Sequence, residues 1–320
     1  MRQFLWLFLI AAGAFRTLLA ASPPAPDSAM GGPTRPPLAG QRSTDPFHPE
    51  RVDGKKLTAV TLLTAGGLTG TYLSLVKPWW SGQKQGFHVK YDWWENRWLE
   101  VDKIGHFYAN IQIVRGTARL FEYAGVSRKW ALGIGFFNST ALYTAFELTD
   151  AGFADWGFSV PDYVANIIGA AYPIAQELWK PLRQIHFKIS YWPSRYYKSD
   201  RYADTPGFQR FDRYTYPVGD YDGMTYWISA PLRPILPGSL ARKCPAWLNV
   251  ALGYGAANLP QDNPAVKFRQ YYLALDLNTQ ALPGQNPFWR EAQSILQAIH
   301  FPAPAIGWSE QGWRFFLVYF

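Results

Sequence analysis

Three predicted helices each carry a pair of polar residues on an otherwise apolar background. The two members of each pair are three or four positions apart, so they share one helix face. The pairs are Asp102 with His106, Glu147 with Asp150, and Asp162 with Asn166, which has Gly169 on the same side. Burying such groups costs free energy unless they meet one another. The pattern therefore predicts helices that converge around a polar core.

The apolar runs of the chain and the residues at their borders predict four helices. The first covers Leu57–Val76, the second runs from Asp102 to about Tyr123, and the third runs from Trp130 through Phe146 to Asp150. The fourth begins at Ser159, a residue type that caps helices well, and ends near Trp179. Four helices with converging polar faces predict a four-helix bundle with a polar core.

The first of these helices has two interpretations. Its twenty residues carry no charge, and it is bordered by Lys55, Lys56 and Lys77. A run of this length with cationic borders is typical of a membrane span. Its content of Thr and Gly fits a buried helix of a soluble bundle equally well. Both interpretations stay open from the sequence.

The last third of the chain changes to residues typical of β-strands. Partial alternation predicts strands at Trp247–Tyr254, at Tyr271–Asn278 and at Tyr226–Ala230. A short amphipathic helix is expected at Phe288–Ile299, and the aromatic run Gly312–Phe320 is expected to close a sheet. The predicted fold class is α+β, with a helix-dominant four-helix bundle and a small antiparallel β region on its C-terminal side.

Composition divides the chain into four segments. Residues 1–22 combine a basic start, an apolar run and small residues, which is the pattern of a secretory signal peptide. Residues 23–54 are rich in Pro and Gly and predict a linker. Residues 55–185 hold the helical bundle, and residues 186–320 hold a basic, aromatic segment with the strands. The protein is therefore expected in the bacterial periplasm or in the cell envelope at the outer membrane.

Several classes of site are excluded by residues that the chain lacks. The single cysteine, Cys244, excludes an intramolecular disulfide framework, a zinc ribbon and a CxxC redox site. No cysteine lies near the predicted processing site, which argues against a lipid anchor on an N-terminal cysteine. No phosphate-binding loop is present, so no nucleotide partner is expected. Neither an HExxH nor a GxSxG sequence supports a standard hydrolase site.

The polar pairs allow three interpretations. In the first they are structural: they lock the bundle, and His106 bonds a carboxylate. In the second, His106, Glu147, Asp150 and Asp162 are ligands of a divalent metal, which one histidine with carboxylates suits. In the third, His106 is a catalytic acid–base, with Glu147 and Asp162 as catalytic partners that orient it. The other members of the predicted polar cluster are Asp102, Lys103, Asp150, Ser159, Asn166 and Gly169.

The segment Pro181–Lys243 is basic and aromatic. It holds ten Lys or Arg residues against five Asp, which makes it +5 of the chain's formal +8. A membrane or anionic lipid surface, or a glycan stacked on the rings, fits such a segment in an exported protein. Export argues against nucleic acid as a partner. The alternative is that the aromatic side chains fill a core and that the cations are solvated.

Three ordered motifs carry a family resemblance. The strings DKIGHF at Asp102–Phe107, ELTD at Glu147–Asp150 and SVPDYVANIIG at Ser159–Gly169 resemble those of the YfiM-like predicted periplasmic lipoproteins, domain of unknown function 2279. The resemblance covers about Leu57–Lys180, and the later segment is similar to longer, bacteroidete-type members. The same residue order resembles VanZ-like membrane proteins more weakly. The resemblance implies an envelope location and a helical core, but no activity, and the chain departs from it in lacking an N-terminal lipid-anchor cysteine.

Two functions are consistent with these observations. The first is a noncatalytic cell-envelope protein that binds lipid or glycan at the membrane. The second is a membrane-associated hydrolase, metal-dependent or not, that acts on a lipid or cell-wall precursor. In that case His106 is the acid–base, Glu147 and Asp162 are metal ligands or orienting groups, and Lys103 contacts an anion.

Overall fold

A computed structural model describes residues 51–80, 82–94, 97–197, 219–261, 263–284 and 286–320. The predicted signal peptide at residues 1–22, and residues 23–50 of the predicted linker, lie outside the described residues. So do four cations of the basic segment: Lys198, Arg201, Arg210 and Arg213.

Four long helices come first in the described chain. They are α1 at Gly54–Trp79, α2 at Val101–Tyr123, α3 at Arg128–Asp150 and α4 at Val160–Leu178. Their positions agree with the four predicted helices to within a few residues. Ser159 caps α4 as predicted, because its Oγ accepts a hydrogen bond from the backbone N of Asp162 at 3.2 Å.

Helix α2 lies at the centre of the helical part and packs closely against α3 and α4. Two glycines allow this approach. A side chain at Gly135 would collide with the backbone of Val114, and one at Gly169 would collide with the backbone carbonyl of Phe107. Helix α1 packs more lightly, and its Val60 joins an apolar cluster of the other helices. The structure therefore has three closely packed helices with a fourth at their side, and the predicted four-helix bundle with a polar core is not confirmed.

The segment with two interpretations, Leu57–Val76, lies within α1. Its Val60 is buried, whereas Leu62 and Leu63 are exposed. Among the residues that the structure describes, no helix combines the length and the apolarity that crossing a membrane requires.

Strands form two sheets. Short strands β1 at Val89–Lys90 and β2 at Phe158–Ser159 pair in parallel beside the helices. The second sheet has six antiparallel strands, each next to its neighbour in the chain. They are β3 at His186–Tyr191, β4 at Met224–Pro231, β5 at Leu248–Ala257, β6 at Phe268–Leu277, β7 at Ala303–Ser309 and β8 at Gly312–Tyr319. The structure is thus α+β as predicted, with an antiparallel region larger than the small one expected.

The predicted strands correspond to β4, β5, β6 and β8, and the helix expected at Phe288–Ile299 is α6 at Pro287–Leu296. A short helix, α5 at Gly238–Lys243, precedes β5. Strands β3 and β7 are absent from the prediction. Lys188 in β3 has the appearance of a surface cation in the sequence, and Pro304 and Gly307 in β7 disfavour strands.

The six-stranded sheet separates its side chains into an outer and an inner face. One row of paired residues crosses five strands on the outer face: Ile228, Leu252, Leu273, Ile306 and Phe315. The neighbouring row on the same face is aromatic and consists of Tyr226, Tyr254, Tyr271, Trp308 and Trp313. The opposite, inner face carries small and polar residues together with the aromatic side chains of Trp227, Tyr272 and Phe316. Its polar residues include Lys188, Ser190, Ser229, Asn249 and Asp276, all buried.

The sheet curls around this inner face. Tyr319 of β8 reaches Thr225 of β4, with 3.0 Å between their hydroxyl oxygens. Gly253 leaves room for the ring of Trp227, which a side chain at that position would strike. Trp227, Tyr272, Phe316 and Tyr319 thus share one apolar cluster on the concave side.

Part of the outer face packs on α2. The rings of Phe107 and Phe187 lie 4.6 Å apart in an edge contact, and Tyr108 packs against Tyr226 at 5.8 Å. A bidentate ion pair from Arg269 of β6 to Glu100, with a closest distance of 2.7 Å, joins the sheet to the start of α2. The outer face of β3 and β4 is therefore covered at these positions, whereas the outer face of β6, β7 and β8 exposes large apolar side chains.

Candidate functional site

The polar residues of α2, α3 and α4 meet around Asn166. Its Oδ1 accepts hydrogen bonds from His106 Nδ1 at 2.9 Å and from Asn110 Nδ2 at 2.8 Å. Its Nδ2 donates to Glu147 Oε1 at 3.4 Å. Because His106 donates through Nδ1, the neutral imidazole keeps its lone pair at Nε2. The three helices are therefore joined by one amide side chain.

Glu147 is the most deeply buried acid of this group, with 1% of its surface exposed. Its Oε2 accepts a hydrogen bond from the backbone N of Ser159 at 3.1 Å, and its Oε1 lies 3.8 Å from His106 Nδ1. Burial raises the pKa of Glu147 to about 8, although the nearby His106 opposes the shift. Burial thus disfavours the ionised form of Glu147, and the charge of a protonated His106 offsets only part of that cost.

His106 lies at the edge of the group, with 22% of its side chain exposed. Burial alone lowers the pKa of His106, but Asp162, Glu147 and Asp102 outweigh it and raise the pKa above its ordinary value. Tyr143 packs edge-on against the imidazole at 5.3 Å between ring centres. The ring therefore combines a fixed orientation with an acidic surrounding, which suits either proton transfer or metal binding.

Lys103 lies among three acids. Its Nζ is 3.3 Å from Asp102, 3.6 Å from Asp92 and 3.6 Å from Asp162. Burial raises the pKa of Asp102 to about 6, and the negative charge of Asp162 adds to this shift. Ser159 Oγ bonds Asp92 at 2.7 Å while it caps α4. The structure thus brings Asp102, Lys103 and Ser159 of the predicted cluster close to Asp162.

Asp150 has a different partner from the other predicted site residues. Its Oδ1 accepts a hydrogen bond from Trp80 Nε1 at 2.5 Å. Burial raises its pKa to about 6. Its position in the last turn of α3 disfavours negative charge, and the Trp80 bond offsets part of that cost.

Gly169 takes part in the site through its lack of a side chain. It faces the backbone carbonyl of Phe107, one residue beyond His106, and a Cβ there would collide with that carbonyl. Because α4 approaches α2 closely at Gly169, Asn166, one turn earlier in α4, lies within hydrogen-bond distance of His106.

Three side chains could jointly hold a metal ion. His106, Glu147 and Asp162 each offer one ligand atom, and these atoms lie within 4.8 Å of one another. Asp162 Oδ1 is buried and accepts no hydrogen bond. The fourth ligand proposed from the sequence, Asp150, is not part of this group of three.

Four members of the site were not predicted from the sequence. Asn110 and Ser139 are fully buried and bond each other, and Asn110 Nδ2 also donates to the backbone carbonyl of His106 at 2.8 Å. Asn110 lies four positions after His106, so helical spacing could have identified it. Asp92 and Tyr143 lack such a signal, because the first lies outside the long helices and the second is an aromatic residue on a largely apolar helix.

A second buried polar group lies on the inner face of the sheet. Lys188 Nζ is 2.7 Å from Asp276 Oδ2, and His300 Nδ1 is 3.0 Å from Asp276 Oδ1; all three side chains are fully buried. The ring of His300 stacks on Trp227 at 3.8 Å. Burial opposes ionisation of Asp276, but bonds from His300 and Lys188 outweigh it and lower the pKa to about 2. Buried charges on strands give little sequence signal, because their partners lie far away in the chain.

This group changes the interpretation of the basic segment. Lys188 is one of its ten cations, yet it is enclosed and paired with Asp276. Arg183 bonds Glu177 and nearby carbonyl groups. Arg242 and Lys243 in α5 are exposed. Among the described residues, the segment is therefore not a uniform cationic surface.

Comparison with known proteins gives one match. Comparisons with curated proteins and with solved structures found none. The model of the family described as predicted periplasmic lipoprotein (DUF2279) matches residues 92–176. This range holds α2, α3 and most of α4, with every member of the polar group around Asn166. The description agrees with an exported protein of the periplasm or cell envelope. Residues 92–176 are thus similar to the DUF2279 family, and this range holds the three motifs that indicated the resemblance.

Proposed function

We propose that this exported protein is a noncatalytic envelope component that binds a lipid membrane with the outer face of its C-terminal sheet. The observation that carries the proposal is the apolar outer face of the sheet. The inner face encloses an aromatic cluster together with buried polar groups, and the outer face also presents a continuous row of apolar residues, which are exposed. Leu252 is 62% exposed and Phe315 is 78% exposed.

A polar outer face is expected for a sheet that faces water on that side. A half-solvated antiparallel sheet turns apolar side chains to its core and polar ones outward. Here the ion pair of Lys188 with Asp276 is enclosed, at a cost in desolvation. Contiguous apolar patches of this kind mark sites of contact with another apolar phase or partner.

The order of the rows favours a lipid bilayer as that partner. The aromatic residues Tyr271, Trp308 and Trp313 form one level of the outer face, and Leu273, Ile306 and Phe315 form the next. Trp and Tyr concentrate where a membrane meets water, and aliphatic side chains concentrate in the hydrocarbon. The aromatic row and the apolar row beside it follow the same order as the interface and the hydrocarbon of a membrane.

Vesicle flotation tests the proposal. The purified protein is mixed with vesicles of phosphatidylethanolamine and phosphatidylglycerol, or of phosphatidylcholine alone, at low and at high salt. We expect it to float with both kinds of vesicle and to stay bound at high salt, because burial of apolar surface is not screened. Anionic lipid should strengthen binding only at low salt.

A triple variant of the outer row removes the apolar contact. Leu252→Gln, Leu273→Gln and Phe315→Gln together should lower the partition coefficient at least tenfold, since each buried apolar side chain contributes about 1.5–3 kcal/mol. The matched control is Leu62→Gln with Leu63→Gln, two exposed leucines of α1. Equal binding by the triple variant and the wild type would contradict the proposal, as would binding that high salt abolishes. Self-association without vesicles, lost in the triple variant, would indicate a second copy as the occupant.

The second candidate, a membrane-associated hydrolase, rests on the group of His106, Glu147 and Asp162. A histidine whose pKa lies above its ordinary value beside carboxylates has the components of acid–base catalysis. The hydrolase function predicts that the protein turns over a lipid or cell-wall precursor. His106→Gln should abolish this turnover without loss of vesicle binding. Vesicle binding without such turnover favours the noncatalytic function.

A further inference from the structure

His106, Glu147 and Asp162 come from three different helices, α2, α3 and α4. Their nearest ligand atoms lie within 4.8 Å of one another. We propose that these three side chains bind one divalent first-row transition-metal cation, with Zn²⁺ and Mn²⁺ as the ions to test. This proposal is independent of membrane binding by the sheet, which lies on other residues.

The first argument is a buried carboxylate oxygen that accepts no hydrogen bond. Asp162 has 8% of its surface exposed, and its Oδ1 accepts no hydrogen bond. Lys103 Nζ lies 3.6 Å away, which is an ionic contact longer than a hydrogen bond. A buried carboxylate oxygen without a donor is costly, and a cation supplies what is missing.

The second argument is the balance of charge. Asp102, Glu147 and Asp162 are all buried, and Asp92 stands close to them. The cations among them are Lys103 and, when protonated, His106. Burial disfavours the ionised form of these carboxyl groups, and a bound dication would stabilise it.

The third argument is that each ligand is held by a second contact. His106 donates Nδ1–H to Asn166, which leaves Nε2 with its lone pair. Glu147 Oε2 accepts the backbone N–H of Ser159, and Asp162 is fixed in the first turn of α4 by the Ser159 cap. Metal-binding histidines and carboxylates in proteins are oriented by such outer contacts.

The donor set points to the class of ion. One imidazole nitrogen with two carboxylates suits Zn²⁺, Mn²⁺ or Fe²⁺, whereas Ca²⁺ and Mg²⁺ prefer oxygen ligands alone. Water molecules would complete the coordination of an ion with three protein ligands.

Calorimetric titration tests the site. The full chain is treated with a chelator, dialysed, and titrated separately with Zn²⁺ and with Mn²⁺. We expect one equivalent of at least one ion to bind. Asp162→Asn and His106→Gln should each weaken binding at least tenfold, while Asp155→Asn, which changes an exposed carboxylate, should leave it unchanged.

A spectroscopic readout separates ligand loss from misfolding. Mn²⁺ bound to the wild type should show ¹⁴N coupling from an imidazole in pulsed electron paramagnetic resonance, and Asp162→Asn should keep that coupling at saturating Mn²⁺. Circular dichroism establishes that the variants are folded. No binding of either ion, or equal binding by wild type and both ligand variants, overturns the proposal.

Discussion

The amide oxygen of Asn166 lies 2.9 Å from His106 Nδ1, and this bond joins the first third of α4 to the first third of α2. The same oxygen accepts from Asn110, and the amide nitrogen donates to Glu147. One fully buried side chain therefore satisfies groups from three helices. Its removal leaves several buried polar groups without partners at once.

Asn166→Ala is expected to lower the free energy of unfolding by about 2–4 kcal/mol, because a buried donor or acceptor left unpaired costs about 1–3 kcal/mol. Urea denaturation followed by circular dichroism measures the loss. The control is Gln280→Ala, which truncates an exposed side chain and should change stability by less than about 0.5 kcal/mol. A loss no larger than that of the control would mean that the bonds around Asn166 contribute nothing.

Gly169→Ala is expected to destabilise the protein by about 1–3 kcal/mol, because the added methyl group meets the carbonyl of Phe107. Gly133→Ala is the matched control in α3, since a Cβ there meets nothing within 4 Å. Replacing that glycine should raise stability by up to about 1 kcal/mol. Thermal melts of the two variants should therefore shift in opposite directions, and a shift of both in the same direction would argue against the close contact.

The buried imidazole of His186 predicts a loss of stability in acid. Burial, with Arg115 and Lys188 nearby, lowers the pKa of His186 to about 3, and Asp276 only partly opposes this. The unfolded chain binds the proton near pH 6.5, so stability is complete above that pH and falls between about pH 6.5 and 3. The slope from this one group is at most about 1.4 kcal/mol per pH unit.

His186→Gln should flatten the dependence of unfolding free energy on pH between about pH 6 and 4. A separate loss should remain below about pH 4, because the pKa of Asp276 is lowered to about 2 and its ion pair is lost on protonation. Denaturation curves at a series of pH values measure both. An unchanged slope in the variant would show that His186 does not titrate between the two states.

A fluorescent label reports whether the outer row enters lipid. With Cys244→Ser as background, an environment-sensitive dye on Leu273→Cys should shift its emission to the blue when vesicles are added, because the position moves from water to hydrocarbon. The same dye on Gln280→Cys, an exposed polar position, should not shift. A shift at neither position, or an equal shift at both, would disagree with contact through the outer face.

The helices and their polar pairs were predictable from the sequence because each signal is local. Ser159 is a residue type that caps helices, and it lies three positions before Asp162, so it predicts the start of α4. His106 follows Asp102 by four positions, which places both on one helix face. Which pairs meet is not local information. The packing of the three helices decides that Asn166 forms hydrogen bonds with both His106 and Glu147. It also decides that Asp150 bonds Trp80 instead.

The character of the sheet was harder to predict. Alternation identified β4, β5 and β6, but alternation alone does not tell which face of a strand is buried. Lys188 was assigned to a charged surface, whereas it is enclosed beside Asp276. The burial of Lys188 depends on the curl of the sheet around Trp227 and His300, which are 73 positions apart along the chain and stack on each other.

The neighbour-to-neighbour order of the six strands also bears on how the domain forms after export. Every strand pairs with the one made just before it, so hairpins can be added one at a time without threading a strand between others. Two connections are longer than the rest, the one between Tyr191 and Met224 and the one between Leu277 and Ala303. Closing a longer connection costs more entropy, so pairing of β3 with β4 and of β6 with β7 is expected to be slower than pairing of the other neighbours.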